Sequence, residues 1–417
     1  RANHPPQIGA ASANAHAGIM NQSAAIGSMP ERDAHVEATR IIGIFPDLLG
    51  VGGVQESGRM TAAALSEIVR ERSGEAEVFG LNDSRETHVI EINGCSIPLR
   101  GFGRSKVRFI SAGIARARKL DGAAGGVIFA AHPHLAVPAA LMQRFAPSLK
   151  VIVVAHGIEV WTALSPFRRR ALLRADMVLA PSRFTAQKLS EIQGVSPNKI
   201  RVLPWPLSPS FMRLADQQTA CPLPPSFPIG RVILTIARWD ASERYKGADE
   251  LLGAVAQLQA TIPDVQLVAV GGGNDLPRIV QLAKSLGVSN RVHFFSALSR
   301  QQIAACYARA DVFALPSTGE GFGLVFLEAM AFAKPVVGAA IGGTLDVIQD
   351  GVNGFLVPPN DVQKLADALS NLLRDESLCA RMGGAGAEIV RRKYCFAKFR
   401  ERLREILDEC VDARVAR

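Results

Sequence analysis

The sequence predicts an α/β protein made of two doubly wound domains that face each other across a cleft. Three observations carry this. Short, wholly apolar runs alternate with helix-period segments through both halves of the chain, the pattern of parallel sheets covered by helices on both faces. The halves are divided at Pro204–Gly230, a stretch with seven prolines and no periodicity. A length of 417 residues suits two domains of roughly 150–200 residues each.

Taken in order, Ile41–Phe45, Val127–Ala130, Val151–Ala155, Met177–Ala180 and Val202–Leu203 read as buried parallel strands. Gln55–Arg72, Leu135–Phe145 and Ser182–Ile192 read as the helices between them. After the proline-rich break, strands are predicted at Val232–Ala237, Leu267–Val270, Val292–Phe295, Val312–Leu315, Pro335–Gly338 and Phe355–Val357. Helices are predicted at Ala248–Ala260, Leu276–Leu286, Gln301–Ala310, Leu324–Phe332 and Val362–Leu373, and Leu378–Val415 is mostly helical and amphipathic. Ser182 and Ser299 stand where N-caps belong. The expected organisation is a disordered tail over 1–38, a first domain over 39–207, a linker over 208–229, a second domain over 230–390 and a terminal helix over 391–417. The start at Arg1 reads as a trimmed terminus.

Composition removes several classes. Hydrophobic residues at 48% and charged residues at 20% are an ordinary globular balance, and no apolar run approaches the roughly 20 residues of a membrane-spanning helix. The six cysteines lie at least 15 residues apart, so neither a zinc knuckle nor a small disulfide framework is indicated, and a reducing cytosol fits. The net charge is +9, but residues 101–200 alone hold 15 Lys/Arg against 4 Asp/Glu. That imbalance points to a polyanionic partner or to a solubilising surface.

Ligands of such sheets bind beyond the carboxyl ends of the strands, so the strand-to-helix turns carry the chemistry. The strongest turn is Pro316-Ser317-Thr318-Gly319-Glu320-Gly321-Phe322-Gly323-Leu324-Val325, leading into Glu328. A helix opening at Gly323 leaves the amides of Gly323, Leu324 and Val325 free for an anion, and glycines admit a ligand close to the main chain. Glu320 precedes those amides and Glu328 follows them by roughly 7 Å along the axis. Such spacing suits a diphosphate with hydroxyl-bearing groups at both ends. A second turn places Arg238 and Lys246 where two cations could neutralise a diphosphate leaving group. No Asp-x-Asp pair occurs to hold a metal. Gly50-Val51-Gly52-Gly53-Val54-Gln55 fails as a dinucleotide fingerprint, because Gln55 takes the place of the third glycine. His156-Gly157-Ile158-Glu159 follows a strand and faces the cleft; His132 and His134 read as loop residues.

These residues together resemble a retaining glycosyltransferase of family 4, over about Ile41 to Phe396. The Glu-x7-Glu string in its Gly-Phe-Gly context is the specific part, supported by Arg238 with Lys246, by Val270-Gly271-Gly272-Gly273 and by Gly52-Gly53. The resemblance implies the GT-B architecture, with an acceptor domain first, a nucleotide-sugar domain second, and a C-terminal helix that returns to the first. It implies donor contacts from Gly53, Gly271, Gly273, Arg238, Lys246, Glu320, Gly321, Phe322, Gly323, Leu324, Val325 and Glu328. His156, Arg238, Lys246 and Glu320 would stand nearest the reaction. No cofactor and no metal are implied; the donor is a UDP- or GDP-linked sugar. Ser296 stands where the family often has glycine, which leaves the base open.

The expected activity is hexose transfer to a glycan or lipid-linked acceptor, in surface polysaccharide or glycolipid assembly. The expected location is the cytoplasm, peripheral on the inner face of the membrane, through the Arg168-Arg169-Arg170 run and the set Arg104, Lys106, Arg108, Arg116, Arg118 and Lys119. Two rivals are a nucleotide-sugar 2-epimerase and a nucleic-acid-binding protein. The basic region lacks a recognition motif, so no nucleic acid is expected as partner.

Overall fold

The computed structural model describes residues 39–122, 125–217 and 221–412. The expected tail over 1–38 and positions 413–417 of the expected terminal segment lie outside them.

The first half runs β1 (Arg40–Phe45), α1 (Gly53–Glu71), β2 (Glu75–Gly80), β3 (Thr87–Ile92), β4 (Cys95–Gly101), α2 (Lys106–Leu120) and β5 (Gly126–Ala130). It continues with α3 (Ala136–Arg144), β6 (Lys150–Val154), α4 (Pro166–Arg174), β7 (Met177–Ala180), α5 (Arg183–Glu191) and β8 (Ile200–Val202), and α6 (Pro209–Asp216) follows. The second half runs β9 (Arg231–Ile236), α7 (Ala248–Leu258), β10 (Val265–Val270), α8 (Leu276–Ser285), β11 (Val292–Phe295), α9 (Arg300–Arg309) and β12 (Val312–Leu315). Then come α10 (Leu324–Ala331), β13 (Val336–Ala339), α11 (Thr344–Val347), β14 (Gly354–Val357), α12 (Val362–Arg374), α13 (Glu376–Lys393) and α14 (Phe396–Asp412).

The strands form two sheets, ordered β3-β4-β2-β1-β5-β6-β7-β8 and β11-β10-β9-β12-β13-β14. Pairing is parallel throughout, save for the antiparallel β3–β4 hairpin at one edge. The interior strands β5 and β10 are buried along their whole length, which is why Val127–Ala130 and Leu267–Val270 read as apolar runs. Ser182 and Ser299 do cap their helices: each hydroxyl accepts a backbone N–H, and Gln302 completes a capping box with Ser299.

Two regions depart from the sequence reading. Residues 75–120 contain β2, β3, β4 and α2, none of which has a strong sequence signal. β3 and β4 sit at the sheet edge, so their burial alternates and the apolar run is broken by Glu91, Ser96, Pro98 and Arg100. The expected linker over 208–229 opens with α6, capped by Ser208 with Pro209 in its first turn. Its prolines concealed a packed segment. Trp205, Leu207 and Phe211 are buried in one apolar cluster that runs from the first sheet through to the second and to α14. The Leu207 amide donates to the Tyr394 carbonyl at 2.8 Å, so the two chain crossings between the sheets are bound to each other.

Helix α14 returns to the first half of the chain and packs on α1. Phe399, Leu403, Ile406, Leu407 and Cys410 are its buried stripe, at helical spacing. Around it lie ion pairs Arg400–Glu67 at 2.6 Å, Arg72–Asp408 at 2.6 Å, Arg404–Glu71 and Arg201–Glu409. Exposed pairs contribute about 0–1 kcal/mol each, whereas a fully buried Leu contributes about 1.5–3 kcal/mol. The stripe therefore anchors the helix and the ion pairs set its register. Leu403→Ala should cost about 2–5 kcal/mol in denaturant unfolding, against under about 1 kcal/mol for Arg404→Ala; equal losses would show that the ion pairs carry the anchoring.

Candidate functional site

The order of the first sheet reverses between β1 and β5, and that of the second between β9 and β12. The loops leaving these strands open into one cavity of about 1220 Å³. Its walls include the Gly52–Gln55 turn after β1, His132 and His134 after β5, and His156 after β6. From the second domain come Arg238 and Lys246 after β9, Gly271 and Gly272 after β10, and Glu320–Val325 after β12.

The loops after β6 and β12 touch directly. Gly157 has φ of 155°, and a Cβ there would lie 2.5 Å from the Cα of Gly321. A Cβ on Gly321 would lie 2.1 Å from the carbonyl oxygen of His156, a backbone atom that cannot swing aside. Both glycines are thus required by the close approach. Glu159 supports the turn, its carboxylate accepting the His156 amide at 2.6 Å.

Lys246 and Glu320 meet across this floor, Nζ to Oε2 at 2.8 Å, both largely buried. Burial would favour neutral Lys246, but Glu320 outweighs it and holds the ammonium above its ordinary range. Arg238 is two-thirds exposed and pairs with Glu243 and, at 3.4 Å, with Asp240. Beside these cations on the cavity wall, α10 begins at its N-cap Gly323, whose left-handed φ of 93° turns the chain into the helix. First-turn amides have no intrahelical acceptor, and Leu324 and Val325, which carry two of them, line the cavity.

Of the residues expected to bind the donor, the cavity is lined by Gly53, Gly271, Arg238, Lys246, Glu320, Gly321, Phe322, Gly323, Leu324 and Val325. Gly53 has open space where a Cβ would stand. Two lie elsewhere. Gly273 packs against the backbone of Trp239, where a Cβ would come within 2.1 Å of the carbonyl oxygen. Glu328 sits behind the lining, accepting the Tyr307 hydroxyl at 2.8 Å. Burial raises its carboxyl to about 7, with Tyr307 and Arg300 pulling the other way.

His156 is the middle of an aromatic stack. Its ring lies 5.4 Å from that of His132 and 5.2 Å from that of Trp205, both stacked, and Trp205 leads on to Phe399 of α14. His156 Nε2 lies 2.8 Å from the Ala131 carbonyl, so this nitrogen carries the proton. Burial lowers both imidazoles, His132 to about 3, and keeps them neutral.

His132 and His134, read from sequence as loop residues, are wall residues at the β1/β5 reversal. Trp205, Lys106 and Arg168 also line the cavity. The histidines' position at a strand end was a usable signal; Trp205 carried none, since it enters from the proline-rich stretch. The basic set is not uniform either. Arg116 pairs inward with Glu75 at 2.6 Å and Glu77 at 2.9 Å, and Arg169 donates to the Gln193 carbonyl at 2.8 Å.

The family model described as Glycosyltransferase Family 4 matches residues 52–211, and the one described as Glycosyl transferases group 1 matches 230–389. The chain is 31% identical over 297 residues to the GDP-mannose-dependent alpha-(1-6)-phosphatidylinositol monomannoside mannosyltransferase of Mycolicibacterium smegmatis, covering 67% of this chain and 76% of that protein. It is 32% identical over 252 residues to the D-inositol 3-phosphate glycosyltransferase of Xylanimonas cellulosilytica, covering 58% and 59% respectively. Among solved structures, Anabaena Alr3699/HepE in complex with UDP-glucose superposes with a TM-score of 0.68 at 23% identity, over 89% of this chain and 99% of that one. The sucrose-phosphate synthase of Thermosynechococcus elongatus gives 0.69 at 23% identity, over 90% and 100%.

Gly321→Ala should force the two loops apart. Small-angle scattering would then report a larger radius of gyration, with the denaturant midpoint little changed; an unchanged radius would mean that the contact yields without separating the domains.

Proposed function

Because the chain belongs to glycosyltransferase family 4, with the GT-B fold, we propose that it moves a hexose from a nucleotide-diphosphate sugar to a glycan or lipid-linked acceptor, retaining the anomeric configuration. The observation that carries this reading is the Lys246–Glu320 pair beside the free amides of α10, at the point where the two domains meet. A cation and a helix N-terminus suit a diphosphate, and the carboxylate next to them suits sugar hydroxyls.

Departure of a diphosphate builds negative charge on the leaving oxygen. Arg238, Lys246 and the amides of Leu324 and Val325 are donors for that charge, more strongly used in the transition state than before it. The nucleotide-sugar serves as substrate, with no cofactor and no metal, because these groups take the neutralising role. Glu320 orients the transferred sugar and Glu328 receives the ribose hydroxyls. Neither carboxylate is proposed as a covalent nucleophile. The leaving phosphate itself deprotonates the acceptor on the same face, beside neutral His156. The donor base is uracil or guanine, and GDP-mannose is the first donor to test, as the M. smegmatis relative is named for it.

The acceptor half of the cavity carries Lys106 and Arg168, cations suited to a phosphorylated acceptor. Beside them Val107 and Phe167 are 77% and 84% exposed, among Arg104, Arg108 and Arg170. No helix among the described residues is long and apolar enough to cross a membrane. This mixed rim suits peripheral docking on anionic lipid, at about 1 kcal/mol per basic residue.

A panel of nucleotide-sugars assayed with lipid and glycan acceptors tests the activity. Arg238→Ala and Lys246→Ala should each lower kcat by about 10²–10³-fold, and a chelator should leave the wild-type rate intact. Full activity in either variant, or loss with the chelator, would move charge stabilisation elsewhere. Sedimentation with vesicles checks the surface: binding should rise with anionic lipid, fall with salt, and weaken when Arg168, Arg169 and Arg170 are changed to Glu. Absence of binding at low salt removes the membrane reading alone.

A further inference from the structure

The turn after β9, which carries Arg238 and Lys246, lies backbone against backbone on the turn after β10. A Cβ on Gly271 would stand 1.9 Å from the Ala237 carbonyl oxygen, and Gly273 meets the Trp239 backbone almost as closely. Main-chain bonds cross in both directions: the Trp239 amide donates to the Gly272 carbonyl at 2.9 Å, and the Asp275 amide donates to the Trp239 carbonyl at 2.8 Å. The Asn274 side chain accepts the Ala241 amide at 2.7 Å. The Asp275 carboxylate, only 5% exposed, closes the join. Arg244 donates to its Oδ1 at 2.9 Å, and Arg278 of α8 donates to both oxygens at 3.0 and 2.9 Å. Arg278 in turn forms a two-pronged pair with Asp249 of α7, at 2.9 and 2.8 Å.

We propose that Asp275 is a positioning residue for donor binding: through Arg244, and together with Asn274, it clamps the turn after β9 to the turn after β10 and so fixes where Arg238 and Lys246 meet the diphosphate. The proposal rests on the reading of those two cations given above. It gives Gly273, Asn274 and Asp275 a use that needs no contact with the donor, since Asp275 and Arg244 stand outside the cavity wall.

The turn needs such a hold. Its short helical stretch Ala241–Lys246 is interrupted at Glu243, with φ of −122° and ψ of 29°. Lys246 has a second anchor in Glu320, and the Tyr245 carbonyl accepts the Thr318 amide at 2.8 Å. The ion-pair partners of Arg238, Glu243 and Asp240, belong to its own turn, so a displaced turn carries all three away together. A carboxylate largely removed from water and facing two guanidiniums is a strong tether, because charge-assisted hydrogen bonds are roughly twice as strong as neutral ones. The sign of the effect is diagnostic. Deleting a negative charge near an anion site would by itself tighten diphosphate binding, whereas releasing the turn weakens it.

Titration of UDP and GDP by calorimetry, and of uridine and guanosine by saturation-transfer NMR, tests this. The proteins are wild type, Asp275→Asn, Arg244→Gln, Arg238→Ala/Lys246→Ala, and that double variant with Arg244→Gln added. Asp275→Asn should weaken diphosphate binding by roughly 10-fold, the size of one charge-assisted hydrogen bond, and leave nucleoside binding unchanged. Arg244→Gln should give the same selective loss at roughly 3- to 10-fold. Equal or tighter diphosphate binding in Asp275→Asn, or a loss shared by the nucleosides, overturns the proposal. Arg244 is 57% exposed, so Arg244→Gln settles the matter on the same criteria should Asp275→Asn fail to fold. Without the two cations, adding Arg244→Gln should cost nothing further; a second loss of full size would show that its own charge acts on the phosphates, and overturns the proposal too. The double variant separates the two layers. Weak diphosphate binding there leaves the donor reading standing whatever Asp275 does, whereas wild-type affinity, or a wild type that binds neither nucleotide, removes that reading and this proposal with it.

Discussion

The cleft depends on one contact in which two backbones meet with no side chain between them, Gly157 against Gly321. The consequences spread outward from there. The loop after β6 can rest on the loop after β12 only without Cβ atoms, and that contact draws the carboxyl ends of the two sheets into a single cavity. It also sets His156 of one domain beside Glu320 of the other. Steric exclusion is a short-range constraint, so this small contact defines the separation of the domains more sharply than the dispersed apolar packing around Trp205 and Phe211 could.

Electrostatics are arranged around the same contact with little free charge. Lys246 is held by Glu320, Arg238 by Glu243, and Arg300 by Glu56. Pairing with Glu320 keeps the buried Lys246 charged, and in all three pairs it fixes where the donors point before any ligand arrives. An unpaired lysine at that depth would be driven towards its neutral form. The carboxylates therefore have two uses, holding the cations and offering acceptors to sugar hydroxyls.

The histidines behave differently. Burial keeps His156 neutral against the opposing pull of Glu159 and the Ala131 carbonyl, and burial likewise lowers His132, to about 3. The stack also links the cavity to Phe399 of α14, so the returning helix supports the floor of the cleft from behind. A terminal helix can thereby affect the site without entering it.

From the sequence alone, the two-domain α/β organisation, the central strands, the caps at Ser182 and Ser299 and the turn Glu320–Val325 were all legible. Each is a local matter: an apolar run, a hydroxyl two or three residues from its amide, glycines at a strand end. The edge hairpin β3–β4 was not, because half-exposed strands alternate and lose their apolar signature. Nor was the packing of Trp205, Leu207 and Phe211, since proline spacing reads as a linker whether or not the side chains are buried. His132 and His134 entered the cavity only through strand order, which places β5 beside β1 although helices and three other strands intervene in the chain. The Gly157–Gly321 approach and the Glu56–Arg300 bridge join residues 164 and 244 positions apart. Local composition determined the elements and the chemistry each turn could offer; long-range packing decided which of those turns meet, because contact depends on the docking of two sheets and not on spacing along the chain.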